Sequence, residues 1–216
     1  MELIVLHIPK TAGSALRSLL NKVYGRECVA TAGIDFQVSG DTIRLRDIPN
    51  GTKVLTGHIT YKQARELHVQ TGARLVTFLR EPTERYLSHY YHLKRMNVRN
   101  SGFIPKLQAH VPLPIHMAIH RYHNVISKYL SGLPLNQLDF IGFTENFEAD
   151  VAALGELLDW PEEKYVGWAS EANSNVEFPA SQRRVRQRMI ALEGLLNKTD
   201  LRRYAEAKRL TQANRE

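Results

Sequence analysis

The chain has 216 residues and a mass of 24.7 kDa, enough for one large domain or two small ones with a continuous core that needs no disulfide staples. With 43% hydrophobic and 24% charged residues, and Gly and Pro at 13 and 9, its composition excludes fibrous, collagenous and low-complexity functions. The single cysteine, Cys28, can form neither an intramolecular disulfide nor a multi-cysteine zinc site; it fits a reducing compartment and reads as an apolar filler. The opening apolar run, Leu3 to Leu6, is too short for a signal peptide or a membrane span, and no other stretch approaches about 18 uninterrupted apolar residues. A soluble, cytoplasmic protein is therefore expected. The formal charge is +7, and the segment from Arg183 onward carries ten Lys or Arg against four Asp or Glu, so the basicity is mostly C-terminal. Such a segment is either a solvated helix face or a contact for an anionic partner.

In chain order, Leu3 to Ile8 is an apolar run ending at Pro9, followed by a Gly-containing turn and a helix over Ala15 to Tyr24, with Leu16, Leu19, Leu20 and Val23 at helical spacing. Thr42 to Ile48 alternates apolar and charged residues and predicts a half-exposed strand, closed by a Pro49-Asn50-Gly51 turn. A short strand is expected over Lys53 to Gly57 and a helix from about Tyr61 to Val69. Arg74 to Arg80 has the near-continuous apolar pattern of a central parallel strand, and Pro82 suits the first turn of a helix reaching about Arg95. The second half reads as helical: Ile115 to Leu130, Glu145 to Leu158, Ser181 to Leu196 and Asp200 to Leu210, with Asn173 to Pro179 as a surface loop. No repeat or biased linker divides the chain, so one α/β domain over residues 1–216 with a helix-rich C-terminal half is expected.

The strongest chemical signal is His7-Ile-Pro-Lys-Thr-Ala-Gly-Ser14 between a strand and a helix. A helix N-terminus offers unpaired N–H groups and a positive dipole end. Gly13 allows close backbone approach, and Lys10, Thr11 and Ser14 can add one cation and two hydroxyls. This is the make-up of a phosphate cradle, although the Gly-x-x-x-x-Gly-Lys-Ser/Thr pattern is absent. A second signal is Arg80-Glu-Pro-Thr-Glu-Arg-Tyr-Leu-Ser88 at the C-terminal end of a buried strand, where open α/β sheets place their ligands. Arg80 offers bidentate phosphate recognition and Ser88 a hydroxyl, so the pair can clamp a second phosphate. Structurally, Arg80 can instead pair with Glu81 or Glu84.

Together these segments resemble the sulfotransferases that use 3'-phosphoadenosine 5'-phosphosulfate (PAPS), in particular the carbohydrate branch that includes heparan sulfate 2-O-sulfotransferase. Asn124 to Gly132 and Ile141 to Phe147 resemble two weaker blocks of that family, so the likeness spans roughly residues 3 to 158. It implies a P-loop NTPase-like three-layer sandwich with a central parallel sheet. It implies too that Pro9, Lys10, Thr11, Ala12, Gly13 and Ser14 bind the 5'-phosphosulfate, and that Arg80 and Ser88 bind the 3'-phosphate. Arg183, Arg184 and Arg186 lie where family members close over the nucleotide, which adds Arg183 as a binding candidate. Thr56-Gly-His58-Ile-Thr-Tyr61 is similar to the Gly-His-Val/Ile segment that carries the branch's catalytic base, and a neutral imidazole suits removal of a hydroxyl proton.

The implied reaction is in-line displacement. His58 takes the acceptor's proton, the acceptor oxygen attacks the sulfuryl group, and adenosine 3',5'-bisphosphate leaves, with Lys10 neutralising charge on the bridging oxygen. The expected acceptor is a hydroxyl-bearing molecule, a glycan or glycoconjugate, and no metal is expected. Glu81 is the rival base. His116, His120 and His123 have i, i+4, i+7 spacing and can mimic a metal site, but no carboxylate accompanies them, and a solvated or acceptor-lining face is expected. His7 is expected to turn inward as a support. Two other functions remain open: a P-loop-like nucleotide kinase using the same anion site, and a nucleic-acid-binding module using the basic C-terminal helices. The sequence fixes neither the oligomeric state nor the acceptor.

Overall fold

The computed structural model describes residues 1–95, 123–168 and 195–213. Five strands form one parallel sheet in the order β2-β3-β1-β4-β5: β1 is Leu3–Leu6, β2 Val29–Ala32, β3 Val54–Gly57, β4 Arg74–Leu79 and β5 Phe140–Phe143. The helices are α1 Gly13–Tyr24, α2 Tyr61–Thr71, α3 Pro82–Arg95, α4 Val125–Tyr129, α5 Phe147–Leu157, α6 Glu162–Tyr165 and α7 Lys198–Ala213.

Strand alternation sorts the core into two layers. Leu3, Val5, Val54, Val76 and Phe78 face one side and pack with Leu16, Leu19 and Leu20 of α1 and Val151 and Leu154 of α5. Ile4, Leu6, Leu55, Leu75 and Leu79 face the other side and meet Ala64 and Leu67 of α2, Ile126 of α4 and Ala207 of α7. Burial on both faces explains why β1 and β4 read as apolar runs rather than alternating ones. The result is the three-layer α/β sandwich expected of the fold class.

Two edge strands and one non-strand depart from the sequence reading. β2 and β5 are four-residue segments, Val-Ala-Thr-Ala and Phe-Ile-Gly-Phe, the first half alanine and the second interrupted by glycine, residue types depleted in strands. Gly142 in β5 is required because a Cβ there would strike the Phe78 ring. Thr42 to Ile48 is not a strand. Ile43 and Ile48 are buried, but the backbone N–H groups of Ile43 and Arg44 bond to the Gln63 carbonyl and the Asp47 carboxylate, and Leu45–Asp47 is a short 3₁₀ turn with Leu45 56% exposed. The segment's backbone is thus bonded to the end of its own turn and to the first turn of α2 rather than to a neighbouring strand.

The expected helix over Ile115 to Leu130 is described only from residue 123, where the helical part is α4. The Ser181 to Leu196 helix and the Asn173 to Pro179 loop fall almost wholly outside the described residues. α4 is held by α7. The fully buried Asp200 carboxylate accepts from the Ile126 and Ser127 N–H groups at 2.9 and 2.8 Å and from Ser127 Oγ at 2.7 Å. Arg203 donates to the Leu130 and Leu133 carbonyls at 2.8 and 3.0 Å, capping the opposite end. A C-terminal segment expected to be a solvated or anion-binding face thus uses one of its cations as a helix cap. Asp200→Ala leaves two backbone donors without their acceptor and should cost about 3 kcal/mol of stability. Urea unfolding checks this, and a loss below about 1 kcal/mol would mean that water replaces the carboxylate.

Candidate active site

The strand register brings the chemistry together. Leu6 lies opposite Thr77, Ala32 opposite Gly57, and Leu79 opposite Phe143, so the C-terminal ends of the strands share one edge of the sheet. The loops starting at His7, His58, Arg80 and Thr144 therefore emerge side by side, and β1 lies between strands reached by crossovers in opposite directions, the position at which such sheets bind ligands.

The loop from β1 to α1 is tightly constrained. Lys10 and Ala12 both have left-handed backbones, with φ of 73° and 60°. Non-glycine residues adopt this conformation at a cost of about 1 kcal/mol each, and such strain concentrates at ligand sites. Thr11, 1% exposed, donates its hydroxyl to the Ile8 carbonyl at 2.8 Å, so the side chain expected to contact phosphate instead pins the turn. α1 begins with no side-chain cap and no acidic residue in its first turn, which leaves its N-terminal N–H groups and dipole to an anion. Ser14 sits in that first turn. Gly13 is required because a Cβ would collide with the His7 ring.

His58 follows Gly57, the last residue of β3. Gly57 has φ +128°, and a Cβ there would press on the Ala32 backbone at 2.9 Å, so the Gly-His pair is set by β2 packing. His58 is exposed, and its Nδ1 lies 3.1 Å from the His7 carbonyl oxygen. A carbonyl only accepts, so Nδ1 carries the proton, and in the neutral ring Nε2 is the basic nitrogen. The His7 and His58 rings lie 4.5 Å apart between centroids, tilted by 30°. Burial, and then the positive potential of His58, Arg17 and Lys10, push His7 down to about 3. The unfolded chain therefore takes up a proton at His7 near pH 6.5 that the folded chain refuses until about pH 3. Stability should fall through that window on acidification by at most about 1.4 kcal/mol per pH unit from this residue, with no contribution above it. Stability curves of wild type and His7→Gln measured from pH 7 to 4 check the sign, since the variant should lose this slope.

Arg80 follows the last residue of β4, and α3 begins two residues later at Pro82. The Glu81 carboxylate accepts from the Glu84 N–H at 2.8 Å, which makes Glu81 the N-cap of α3. Its own N–H donates to Glu145 Oε1 at 2.6 Å. Glu145 in turn is hydrogen-bonded to Tyr204 of α7, whose hydroxyl is pushed up by burial first and then by the Glu145 charge. The rival base is thus occupied as a helix cap, and Arg80 is held between a sheet edge and a braced helix start.

His7, Pro9, Lys10, Ala12, Gly13, Ser14, His58, Arg80 and Ser88 all line one cleft of about 720 Å³. Of the described residues to which the sequence pointed, Thr11, Glu81 and His123 do not line it. Arg183, Arg184 and Arg186 lie outside the described residues, as do His116 and His120. His123 is buried and stacked on Tyr86, with centroids 5.2 Å apart and 9° between planes, so it belongs to neither a solvated face nor an acceptor wall. Ala15, Glu84, His89, His92, Thr144 and Glu145 complete the lining. The signal for α3 lay in helical spacing, since Glu84, Ser88 and His92 recur every four residues on one face. Among the described residues, no group of three or more His, Cys, Asp or Glu side chains is placed to hold a metal ion, and no helix is long and apolar enough to cross a membrane.

No protein-family model and no curated protein matches the sequence. Solved structures do match. Mouse sulfotransferase SULT7A1, complexed with PAP, superposes with a TM-score of 0.53 at 9% identity, over 95% of this chain and 88% of that one. A sulfotransferase from Alicyclobacillus acidocaldarius is similar at a TM-score of 0.49 and 17% identity, over 94% of this chain and 96% of that one. The fold is that of a sulfotransferase. At 9% identity the likeness to the mouse protein is one of fold, and the chemistry must be argued from this chain's own site.

Proposed function

We propose that this chain is a PAPS-dependent O-sulfotransferase that moves a sulfuryl group to a hydroxyl by in-line displacement, with adenosine 3',5'-bisphosphate as the other product. The observation that carries this reading is the meeting, in one cleft, of a strand-to-helix anion loop, an Arg–Ser pair on the next strand and helix, and a histidine whose Nε2 is basic. The site suits a doubly phosphorylated nucleotide: α1 presents an uncapped N-terminus beside Lys10 and Ser14, while Arg80 and Ser88 supply a second, separate anion clamp. SULT7A1, whose fold is shared, is a sulfotransferase complexed with PAP, which agrees with two phosphate subsites.

In this reading the α1 N–H groups and Ser14 hold the nonbridging oxygens, and Lys10 offsets the charge that develops on the leaving phosphate. His58 Nε2 takes the acceptor's proton, while the His7 carbonyl keeps the Nδ1 proton in place. Glu81 is left as an α3 cap. Against a kinase stands the absence of the Gly-x-x-x-x-Gly-Lys-Ser/Thr pattern from the anion loop. The nucleic-acid reading loses Arg203 to carbonyl capping.

The acceptor we infer is a hydroxyl-rich glycan or glycoconjugate, as in the carbohydrate branch that the sequence resembles. In support, the described cleft lining has no apolar side chain larger than proline and carries four imidazoles, two carboxylates and three hydroxyls. A flat apolar acceptor would find little there to bury against. Calorimetric titration with adenosine 3',5'-bisphosphate, adenosine 5'-phosphate and ATP tests the donor site. Preference for the 3'-phosphorylated nucleotide is expected, and equal binding of all three would overturn the reading.

A further inference from the structure

Residue 7 grips the segment that carries His58 in three ways. Its N–H donates to the Gly57 carbonyl at 3.3 Å, its carbonyl accepts from His58 Nδ1 at 3.1 Å, and its ring lies 4.5 Å from the His58 ring. The two residues are distant in sequence and meet only because β1 and β3 are neighbours in the sheet. His58 is exposed, and a single hydrogen bond is a weak restraint on an exposed ring because water competes for it. The His7 ring is different in kind: it is mostly buried and seated against the Cα of Gly13, where no side chain larger than glycine's would leave it room.

We propose that the His7 imidazole is a positioning residue for His58, an uncharged platform that fixes the rotation of the His58 ring so that Nδ1 stays on the His7 carbonyl and Nε2 stays the basic nitrogen. This rests on reading His58 as the base. The charge state of the platform matters because His58 becomes an imidazolium when it takes the acceptor's proton, and a second imidazolium 4.5 Å away would oppose that step. The groups facing His7 are all potential cations, Lys10 from the loop, Arg17 from α1 and His58 from the end of β3, and together with burial they keep His7 neutral down to about pH 3. The platform is therefore uncharged near neutral pH, where it adds no second positive charge beside the His58 imidazolium. A tautomer restrained in advance also removes one rearrangement from the proton-transfer step.

The test is long-range ¹H–¹⁵N spectroscopy of the ring nitrogens in the full chain, comparing wild type, His7→Phe and His7→Ala under conditions in which the spectra show a neutral His58 ring. His58→Gln supplies the assignment. Wild-type His58 is expected to show a protonated Nδ1 and an unprotonated Nε2, the opposite of the form that free histidine favours. His7→Phe, which keeps a flat uncharged ring, should retain that pattern, and His7→Ala should shift His58 toward Nε2–H. An unchanged tautomer in His7→Ala would overturn the proposal, because the backbone carbonyl alone would then suffice. Loss of the pattern in His7→Phe would also overturn it, and this arm stands even if the alanine variant does not fold. Titration of each sample with adenosine 3',5'-bisphosphate separates the two readings: absence of binding in wild type rejects the sulfotransferase assignment and leaves the tautomer result standing.

Discussion

Arg80→Ala is expected to weaken binding of adenosine 3',5'-bisphosphate by about a hundredfold or more, while binding of adenosine 5'-phosphate changes by no more than about threefold. A charge-assisted hydrogen bond contributes about 1.5–3 kcal/mol, and a guanidinium can make two to one phosphate. Arg80 is well placed to deliver that energy because little of it is lost in ordering the side chain's base. Its backbone directly follows the last residue of β4, the next N–H is fixed on Glu145, and Glu81 caps the helix that carries Ser88. The selectivity is the decisive readout in calorimetry. An equal loss for both nucleotides would place Arg80 on the shared 5'-phosphate and leave the 3'-phosphate without its clamp.

Turnover of His58→Ala should fall by about 10²- to 10⁴-fold, the usual contribution of a positioned general base, with nucleotide affinity nearly unchanged. The separation is expected because His58 lies at the end of β3, whereas the anion donors lie on the β1–α1 loop and on β4 and α3. Sulfuryl transfer from labelled PAPS to a panel of sugar acceptors provides the measurement. Glu81→Gln is the control. A glutamine side chain can still accept from the Glu84 N–H, so this variant should keep its turnover, and a collapse there with activity retained in His58→Ala would exchange the two assignments.

The parts legible in the sequence were those governed by local rules. β1 and β4 are buried on both faces and show as apolar runs, and α1 and α3 follow from helical spacing and from Pro82 at a first turn. The anion loop was legible because its residue types and its place between strand and helix define the chemistry. The edge strands β2 and β5 were not, since their alanine- and glycine-containing sequences become strands only when β3 and β4 offer a free edge. The Thr42 to Ile48 segment misled for the converse reason. Ile43 and Ile48 are buried without any strand partner, while Leu45, which completes the alternation with Ile43, is exposed.

The site divides in the same way. Sequence by itself determined that Lys10, Ser14, His58, Arg80 and Ser88 carry side chains suited to two anions and a proton. Only the tertiary structure decided which groups remain available for that work. Thr11 and Glu81 have the right chemistry and spend it on the Ile8 carbonyl and the start of α3, while Asp200 and Arg203 cap a helix more than seventy residues away in the chain. The His7–His58 pair likewise exists only through the pairing of β1 with β3. The physical reason is common to all of these. Spacing along a chain reports which residues share a helix or strand face, but a hydrogen bond between distant segments depends on sheet order and register, which the packing of the whole core decides.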